Sequence, residues 1–413
     1  MKRISVLFLI CSMLILLLYP STTQAMIRNA TEDKEEAAET AKTVDTQLNI
    51  DSTSAVLMEG STGTVIFEKN KDERLKPASI TKIMTLVLIF EALKSGQINL
   101  TDEVSVSDYA ASMGGSQVYL EPNETQTVET MIKCISIASA NDASVAMAEF
   151  IAGSEEEFVA RMNKKAKELG MNNTNFVNCC GLDTDNHYTT AYDVALMSRE
   201  MITKHPEISQ YSTVWMDSII HKTKRGESEF GLTNTNKLIK FYNGITGLKT
   251  GSTSLAKYCL SATAKRNNMD LIAVIMAAPD TKTRFNEASK LLNYGFANYS
   301  VYTDDNLDLS LEPVKINKGV RDTVQGIAGS SFSYLCVKGK DPAQIRKEVV
   351  LYELVQAPLA QNDKIGEIIY YYDKDQIGKI DIVASEAVDK AKYRDCLYKI
   401  LRKYFMGDNK KAS

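Results

Sequence analysis

The stretch "LKPASITKIMT", Leu75 to Thr85, poses a problem on which the reading of the whole chain turns. Pro77-Ala78-Ser79 precedes the run Ile83, Met84, Leu86, Val87, Phe90 and Leu93, which is too apolar for a surface helix and predicts a central one. Ser79 is well placed as its N-cap. A plain cap has no use for Lys82 one turn on, because a cation at the amino-terminal end of a helix opposes the macrodipole. Positions i and i+3 share a helix face, so Lys82 can reach the Ser79 hydroxyl. Partial burial would lower its pKa and make it a base able to activate the serine.

Working outward, the chain holds a second S-x-x-K, Ser254 to Lys257. That copy lies in an apparent strand or its approach, where residues three apart point to opposite faces and form no dyad. "SANDA" supplies Ser139-x-Asn141, and "GLKTGST" supplies Lys249-Thr250-Gly251 on an expected strand. Each has a bland reading. Ser139 is a loop hydroxyl, Asn141 a helix cap, Gly251 a bulge. Taken together and in this order, S-x-x-K, S-x-N and K-T-G are the motif set of β-lactamases and penicillin-binding proteins.

With those residues in place, the chain resembles the low-molecular-mass penicillin-binding proteins that act as serine-type D-alanyl-D-alanine carboxypeptidases. "PASITKIMT", "GSQVYLEPNET", "SANDA", "MNNTNFVNCCGLD", "GLKTGST" and "RFNEASKLLNYGF" all look like family blocks. "NFVNCCGLD" and "NTNKLI" resemble most the branch found in endospore-forming anaerobes. The resemblance implies an α+β fold. Its catalytic domain has an antiparallel sheet with helices on both faces and a helical subdomain, and a small all-β domain follows. It implies that Ser79 attacks the carbonyl between the last two D-alanines of a peptidoglycan stem peptide, with Lys82 as base. Ser139 relays a proton to the leaving amine, and Asn141 holds the substrate amide. Lys249 adds positive charge that keeps Lys82 neutral. The backbone N–H groups of Ser79 and Ser252 form the oxyanion hole. Arg284 falls near the substrate's terminal carboxylate, which Thr250, Gly251 and a serine at 252 also border. β-Lactams are the expected inhibitors.

Three other readings compete. A class A β-lactamase needs a glutamate for deacylation, and the nearest E-x-x-L-N match, "EFGLTN" from Glu229 to Asn234, is wrongly spaced and too close to Lys249. A Ser-His-Asp hydrolase has only His187, His205 and His221 to draw on and no G-x-S-x-G elbow. His187 precedes an expected helix and reads as a structural or capping residue. The third reading is a wall- or drug-binding module without turnover. H-E-x-x-H is absent, so no metal or other cofactor is implied.

At 413 residues the chain has room for about two domains, and 44% hydrophobic residues with net charge −4 point away from nucleic acid. "MKRISVLFLICSMLILLLYPSTTQA" has a basic start, an apolar stretch and a small-residue end. It reads as a signal peptide over 1–25, so export past the membrane is expected. Residues 26–48 are charged and read as a flexible leader. The catalytic domain is assigned to 49–299, a β-sandwich to 300–386 and an amphipathic tail to 387–413. In that tail Tyr393, Leu397, Ile400, Leu401 and Tyr404 share one helical face, while Lys392, Arg394, Lys399, Arg402 and Lys403 occupy much of the rest. It suits the outer surface of a membrane rich in acidic lipid. Of seven cysteines, Cys134, Cys259 and Cys336 sit in apolar runs and read as core residues. Disulfides stay open.

Further elements are a hairpin around Gly60-Ser-Thr-Gly63, helical patterns over 128–152 and 155–169, and consecutive strands with a turn at Asn267-Asn268. A helix then runs from about Thr283 to Asn298.

Overall fold

The computed structural model describes residues 48–224, 226–305 and 311–406. The chain divides at Asn49, and every helix and strand of the described residues lies in the second unit, Ile50–Ser413. The expected signal peptide and nearly all of the expected leader fall outside the described residues.

In chain order the strands of the first part are β1 (Ser54–Glu59), β2 (Val65–Lys69), β3 (Glu103–Ser105), β4 (Thr125–Thr127), β5 (Met216–Thr223) and β6 (Gly226–Thr233). β7 (Ile245–Thr253), β8 (Lys257–Arg266) and β9 (Met269–Ala278) follow. One antiparallel sheet has the order β2-β1-β9-β8-β7, while β3–β4 and β5–β6 are separate two-stranded ribbons. The β1–β2 and β8–β9 connections are the expected hairpins. Asn267 and Asn268 both take positive φ, 48° and 61°, as a tight two-residue turn requires.

The helices that frame the site are α1 (Lys82–Lys94), α2 (Val128–Lys133), α3 (Asn141–Ala152), α4 (Glu155–Glu168), α5 (Ala191–Lys204) and α6 (Thr281–Asn298). Strand alternation sorts the sheet's side chains onto two helical layers. Val56, Met58, Ile272, Val274 and Met276 join the core that contains α1, α3 and α5. Leu57 and Leu271 face the other way, against α6. There a Cβ at Gly295 would sit 3.1 Å from Leu57 Cδ2 and 2.5 Å from Leu271 Cδ1, so a methyl at this position would push both leucine side chains aside. α6 starts at Thr281, two residues earlier than its periodicity suggests, because the Asp280 carboxylate accepts from Thr283 N and fixes the end.

Four local expectations are corrected. Ser79 is not a helix N-cap. It lies in a 3₁₀ turn, Ala78–Thr81, and the α-helix proper opens at Lys82. The single helix expected over 128–152 breaks: after α2 comes a π-helical turn, Cys134–Ala138, then Ser139 in the left-handed region, then α3. Asn141 is not a cap either, since it is the first residue of α3 and its side chain points elsewhere. Ser254 occupies the turn between β7 and β8, with Lys257 opening β8, so the second S-x-x-K is a surface turn and not a strand.

From Tyr299 onward the chain is β-rich, as its alternation predicts. Strands Gly326–Ala328, Asp375–Ala384, Lys364–Tyr372 and Ile345–Leu351 form a four-stranded sheet in that order, accompanied by smaller two- and three-stranded pieces. Its core includes Val314, Ile316, Ile365, Ile368 and Ile382, with Phe332 and Tyr370 stacked at 3.8 Å between centroids. Two turns of this region place Asn362 and Asp373 at positive φ. α7 (Tyr393–Met406) follows. The six described cysteines are all free thiols, Cys134, Cys259 and Cys336 buried as expected. No helix among the described residues is long and apolar enough to cross a membrane.

Candidate active site

The 3₁₀ turn carries Ser79 to the point where α1 meets the outer strand β7, and two glycines let neighbouring backbone close on it. A Cβ at Gly251 would lie 2.8 Å from the Pro77 carbonyl oxygen and 3.1 Å from Ser79 N. At Gly181, with φ +89°, it would meet the Ala78 carbonyl oxygen at 1.8 Å and Ser79 N at 2.9 Å. Neither position has room for a side chain. Ala78 itself has φ +46°, an uncommon value for a residue with a Cβ, so the turn is held by its surroundings.

Lys82 is 0% exposed, yet its amine is fully engaged. Nζ lies 3.1 Å from Ser79 Oγ, donates to Asn141 Oδ1 at 2.6 Å and to the Cys180 carbonyl at 2.8 Å. Asn141 is oriented in turn by its own Nδ2, which donates to the Gly114 carbonyl at 2.6 Å. Burial pulls the Lys82 pKa below its usual 10.5 against smaller raising effects from Cys180, Cys179 and Asp142.

Lys249, on β7, is equally dry, and among the described residues its amine bonds only the Thr250 carbonyl, at 3.2 Å. Burial, then the charges of Lys82 and Arg284, holds its pKa well below 10.5. The Thr250 hydroxyl donates to Thr235 Oγ1 at 2.6 Å. Ser139 Oγ is buried with no hydrogen-bond partner among the described residues. Ser252 is exposed on the free edge of the sheet.

Arg284 is 6% exposed and lies behind β7. Its Nη1 reaches the Gly251 and Cys259 carbonyls at 3.3 and 3.2 Å, and the guanidinium sits 4.6 Å from the Phe285 ring centre and 5.7 Å from that of Tyr258. Burial draws its pKa down to about 10.

The arrangement thus links Ser79, Lys82 and Asn141 by hydrogen bonds and sets Gly251 against the serine. Lys249 is coupled to Lys82 by charge, and Ser139 is left unpaired. Several contributors carried no signal in the sequence: the carbonyls of Cys180 and Gly114, Thr235, and the close packing of Gly181. Each acts through backbone or through a fold-made contact. His187 is structural, as expected, though not as a cap. Val177 N–H donates to Nδ1 at 3.1 Å, which leaves Nε2 to donate to Thr81 Oγ1 at 2.9 Å beneath the serine turn. Burial, helped by Lys76, pushes its pKa down to about 4, so the ring is neutral there. Glu229, the β-lactamase candidate, is exposed on β6. Among the described residues no group of three or more His, Cys, Asp or Glu is placed to hold a metal.

These distances yield a test. Gly181→Ala should displace the serine turn by about an ångström and lower acylation by a fluorescent penicillin roughly 100-fold, while circular dichroism still reports a folded chain. Unchanged labelling would show that the turn tolerates the added methyl.

Comparison with known proteins establishes the family. The D-alanyl-D-alanine carboxypeptidase family matches residues 39–280, and the C-terminal domain of penicillin-binding protein 5 matches residues 296–390. The D-alanyl-D-alanine carboxypeptidase DacF of Bacillus subtilis is 45% identical over 82% of this chain and 86% of its own length, and DacC of Escherichia coli is 34% identical over 83% and 85%. Penicillin-binding protein 5 from Haemophilus influenzae superposes with a TM-score of 0.70 at 31% identity, covering 84% of this chain and 99% of that one. Penicillin-binding protein D2 from Listeria monocytogenes, solved in its ampicillin-bound form, matches with a TM-score of 0.54 at 28% identity, over 61% of this chain and 100% of its own. The α+β architecture, the trailing β-rich region and most of the sequence lead to one conclusion: the chain belongs to the D-alanyl-D-alanine carboxypeptidase family of penicillin-binding proteins.

Proposed function

We propose that this serine-type D-alanyl-D-alanine carboxypeptidase removes the terminal D-alanine of peptidoglycan stem peptides through an acyl-enzyme on Ser79. One observation carries the assignment: the dry amine of Lys82, held between the Asn141 and Cys180 oxygens and facing Ser79 Oγ. A neutral amine has two hydrogens and one lone pair. The two flanking oxygens take the hydrogens, which turns the lone pair toward the serine hydroxyl. Lys82 is therefore a base in position, and Ser79 its nucleophile.

The substrate lies along the free edge of β7 and pairs with it as an added strand. Its carboxylate goes to the Lys249–Thr250 end, where positive charge and hydroxyls gather. Two buried lysines that repel each other do not both stay charged, and the arriving carboxylate draws the shared proton to Lys249 and leaves Lys82 neutral. Ser79 and Ser252 N–H groups receive the oxyanion. The unpaired Ser139 hydroxyl supports its role in passing a proton to the leaving D-alanine. Asn141 orients Lys82 and the substrate amide. Arg284 lends charge to the carboxylate end and tethers the strand through Gly251. β-Lactams acylate the same oxygen.

Ser79→Ala should abolish both D-alanine release from diacetyl-Lys-D-Ala-D-Ala and covalent penicillin labelling, whereas Ser254→Ala should spare both. A penicillin adduct mapped to another serine would overturn the site. A binding module without turnover would label but release no D-alanine.

The pH dependence follows from the direction of the Lys82 shift. The base works deprotonated, and burial lowers its pKa, so kcat/KM should fall only as pH drops through that lowered value and be level well before 10.5. A rate still climbing toward pH 10.5 would mean that the lysine titrates as in water.

The placement is extracytoplasmic, at the outer membrane surface through α7. In that helix Tyr393 and Tyr404 are 83% and 82% exposed, and Leu397, Ile400 and Leu401 are exposed as well. Lys399 reaches back to Gly319 O and Asp322 Oδ1 at 2.9 and 2.5 Å, which fixes one polar side and leaves the apolar residues for lipid. Removal of residues after Asp389 should give an active enzyme that no longer sediments with anionic vesicles at low salt. Equal sedimentation of both forms would place membrane binding elsewhere.

A further inference from the structure

Strand alternation puts Lys249, Gly251 and Thr253 on one side of β7, the side on which Gly251 abuts the Ser79 turn. The cleft wall therefore runs from a dry lysine to a threonine four residues on, a span of roughly 13 Å at about 3.3 Å per residue. At the threonine end stands a carboxylate. Thr253 Oγ1 accepts from Ala256 N at 2.9 Å, which leaves its hydrogen to go to Asp183 Oδ1 at 3.0 Å. One oxygen of Asp183 is thereby fixed, and the residue is exposed. Among the described residues no cation forms an ion pair with it. Lys76, close by in the chain's packing, donates to the Thr184 carbonyl at 2.5 Å instead.

The charges of this wall are ordered. Lys249, with Arg284 behind it, makes the carboxylate end positive, and Asp183 makes the opposite end negative. A stem peptide bound with its terminal carboxylate at Lys249 and its scissile carbonyl at Ser79 runs on past Ser252 toward Thr253. The residue preceding the two D-alanines in such peptides is a diamino acid, and in an extended chain its side-chain ammonium lies about two residues plus one side-chain length from the terminal carboxylate. That distance is comparable to the length of the wall. We propose that Asp183 is a specificity-determining residue that pairs with the free side-chain ammonium of the third stem residue. The fixed Thr253 hydroxyl aims its carboxylate. This inference rests on the carboxypeptidase reading above and adds the preference of that site for an unacylated amine. The pair is solvent-exposed, so it acts on KM and is screened by salt.

The experiment compares two peptides, Nα-acetyl-L-Lys-D-Ala-D-Ala and its Nα,Nε-diacetyl form, with the parent enzyme and with Asp183→Asn, at low and high salt. The parent should favour the free amine in kcat/KM by about fivefold at low salt, the size of one exposed ion pair. That ratio should fall toward one in 0.5 M or so of salt and be near one for Asp183→Asn at any salt, the change lying in KM. Thr253→Val, which keeps the carboxylate and removes its tether, should give an intermediate ratio. A parent ratio of one, which needs no variant to be folded, would overturn the inference while leaving the carboxypeptidase assignment intact. So would an Asp183→Asn enzyme that is slower on both peptides with the ratio preserved, since Asp183 would then only brace its loop. No D-alanine release by the parent from either peptide would instead overturn the reading on which the inference stands.

Discussion

An amine that carries a full charge in water is kept out of water at Lys82, and much of the catalytic domain is shaped by what that demands. Burying an ammonium without partners costs several kcal/mol or more, so the group must be neutral, well bonded or both. Here two oxygens satisfy it, Asn141 Oδ1 and the Cys180 carbonyl. Asn141 is presented only because the chain leaves α2 through a π-helical turn and a left-handed Ser139 before α3 begins. The Cys180 carbonyl arrives only because Gly181 has no side chain to strike Ala78. The neighbouring Cys179 carbonyl accepts from Thr85 one turn further along α1, so the same segment is stitched to the helix twice.

A second constraint is the thinness of the wall between β7 and the serine turn. Gly251 permits backbone to touch backbone there, and Arg284 holds the strand from behind through the Gly251 carbonyl. Neutral His187, locked by Val177 N–H into the tautomer that donates to Thr81, supports the turn from below. Ser79 is consequently set by rigid contacts on several sides, and in the proposed reaction little reorganisation would accompany the charge that develops at the reacting carbonyl. Charge is graded along the same wall, from Lys249 at one end to Asp183 at the other. Under the proposed reading, a substrate that is itself negative at its terminus and positive at its third residue would be oriented before it reacts.

Much of this was legible in the residues. The apolar density of 83–93 marks a buried helix, and a helix buried all round is what α1 is. Alternation and paired asparagines mark β8–β9, because φ > 0 at two successive positions selects that residue type. The three motifs could be read because their chemistry needs particular side chains at particular spacings, and the fold keeps them in one region. Harder to read was the break between α2 and α3. The segment Cys134–Ala138 is as apolar as a helix interior, and the pattern of hydrophobicity does not distinguish an α turn from a π turn.

What the sequence determined by itself was the set of reactive groups and the class of fold: a serine with its lysine, a second lysine on a strand, and helices and strands patterned to bury one face each. Those follow from side-chain chemistry and periodicity, which are local properties. Tertiary structure alone decided how the first S-x-x-K segment becomes a dyad, at the point where α1, α3 and the 179–181 segment converge, and placed the second in a surface turn. It also decided that the Gly114 carbonyl fixes Asn141 and the Cys180 carbonyl fixes Lys82, and that Asp183 bonds Thr253 at the far end of the strand that carries Lys249. Backbone oxygens are the same in every residue, so no sequence distinguishes the one that matters until the chain has folded around it.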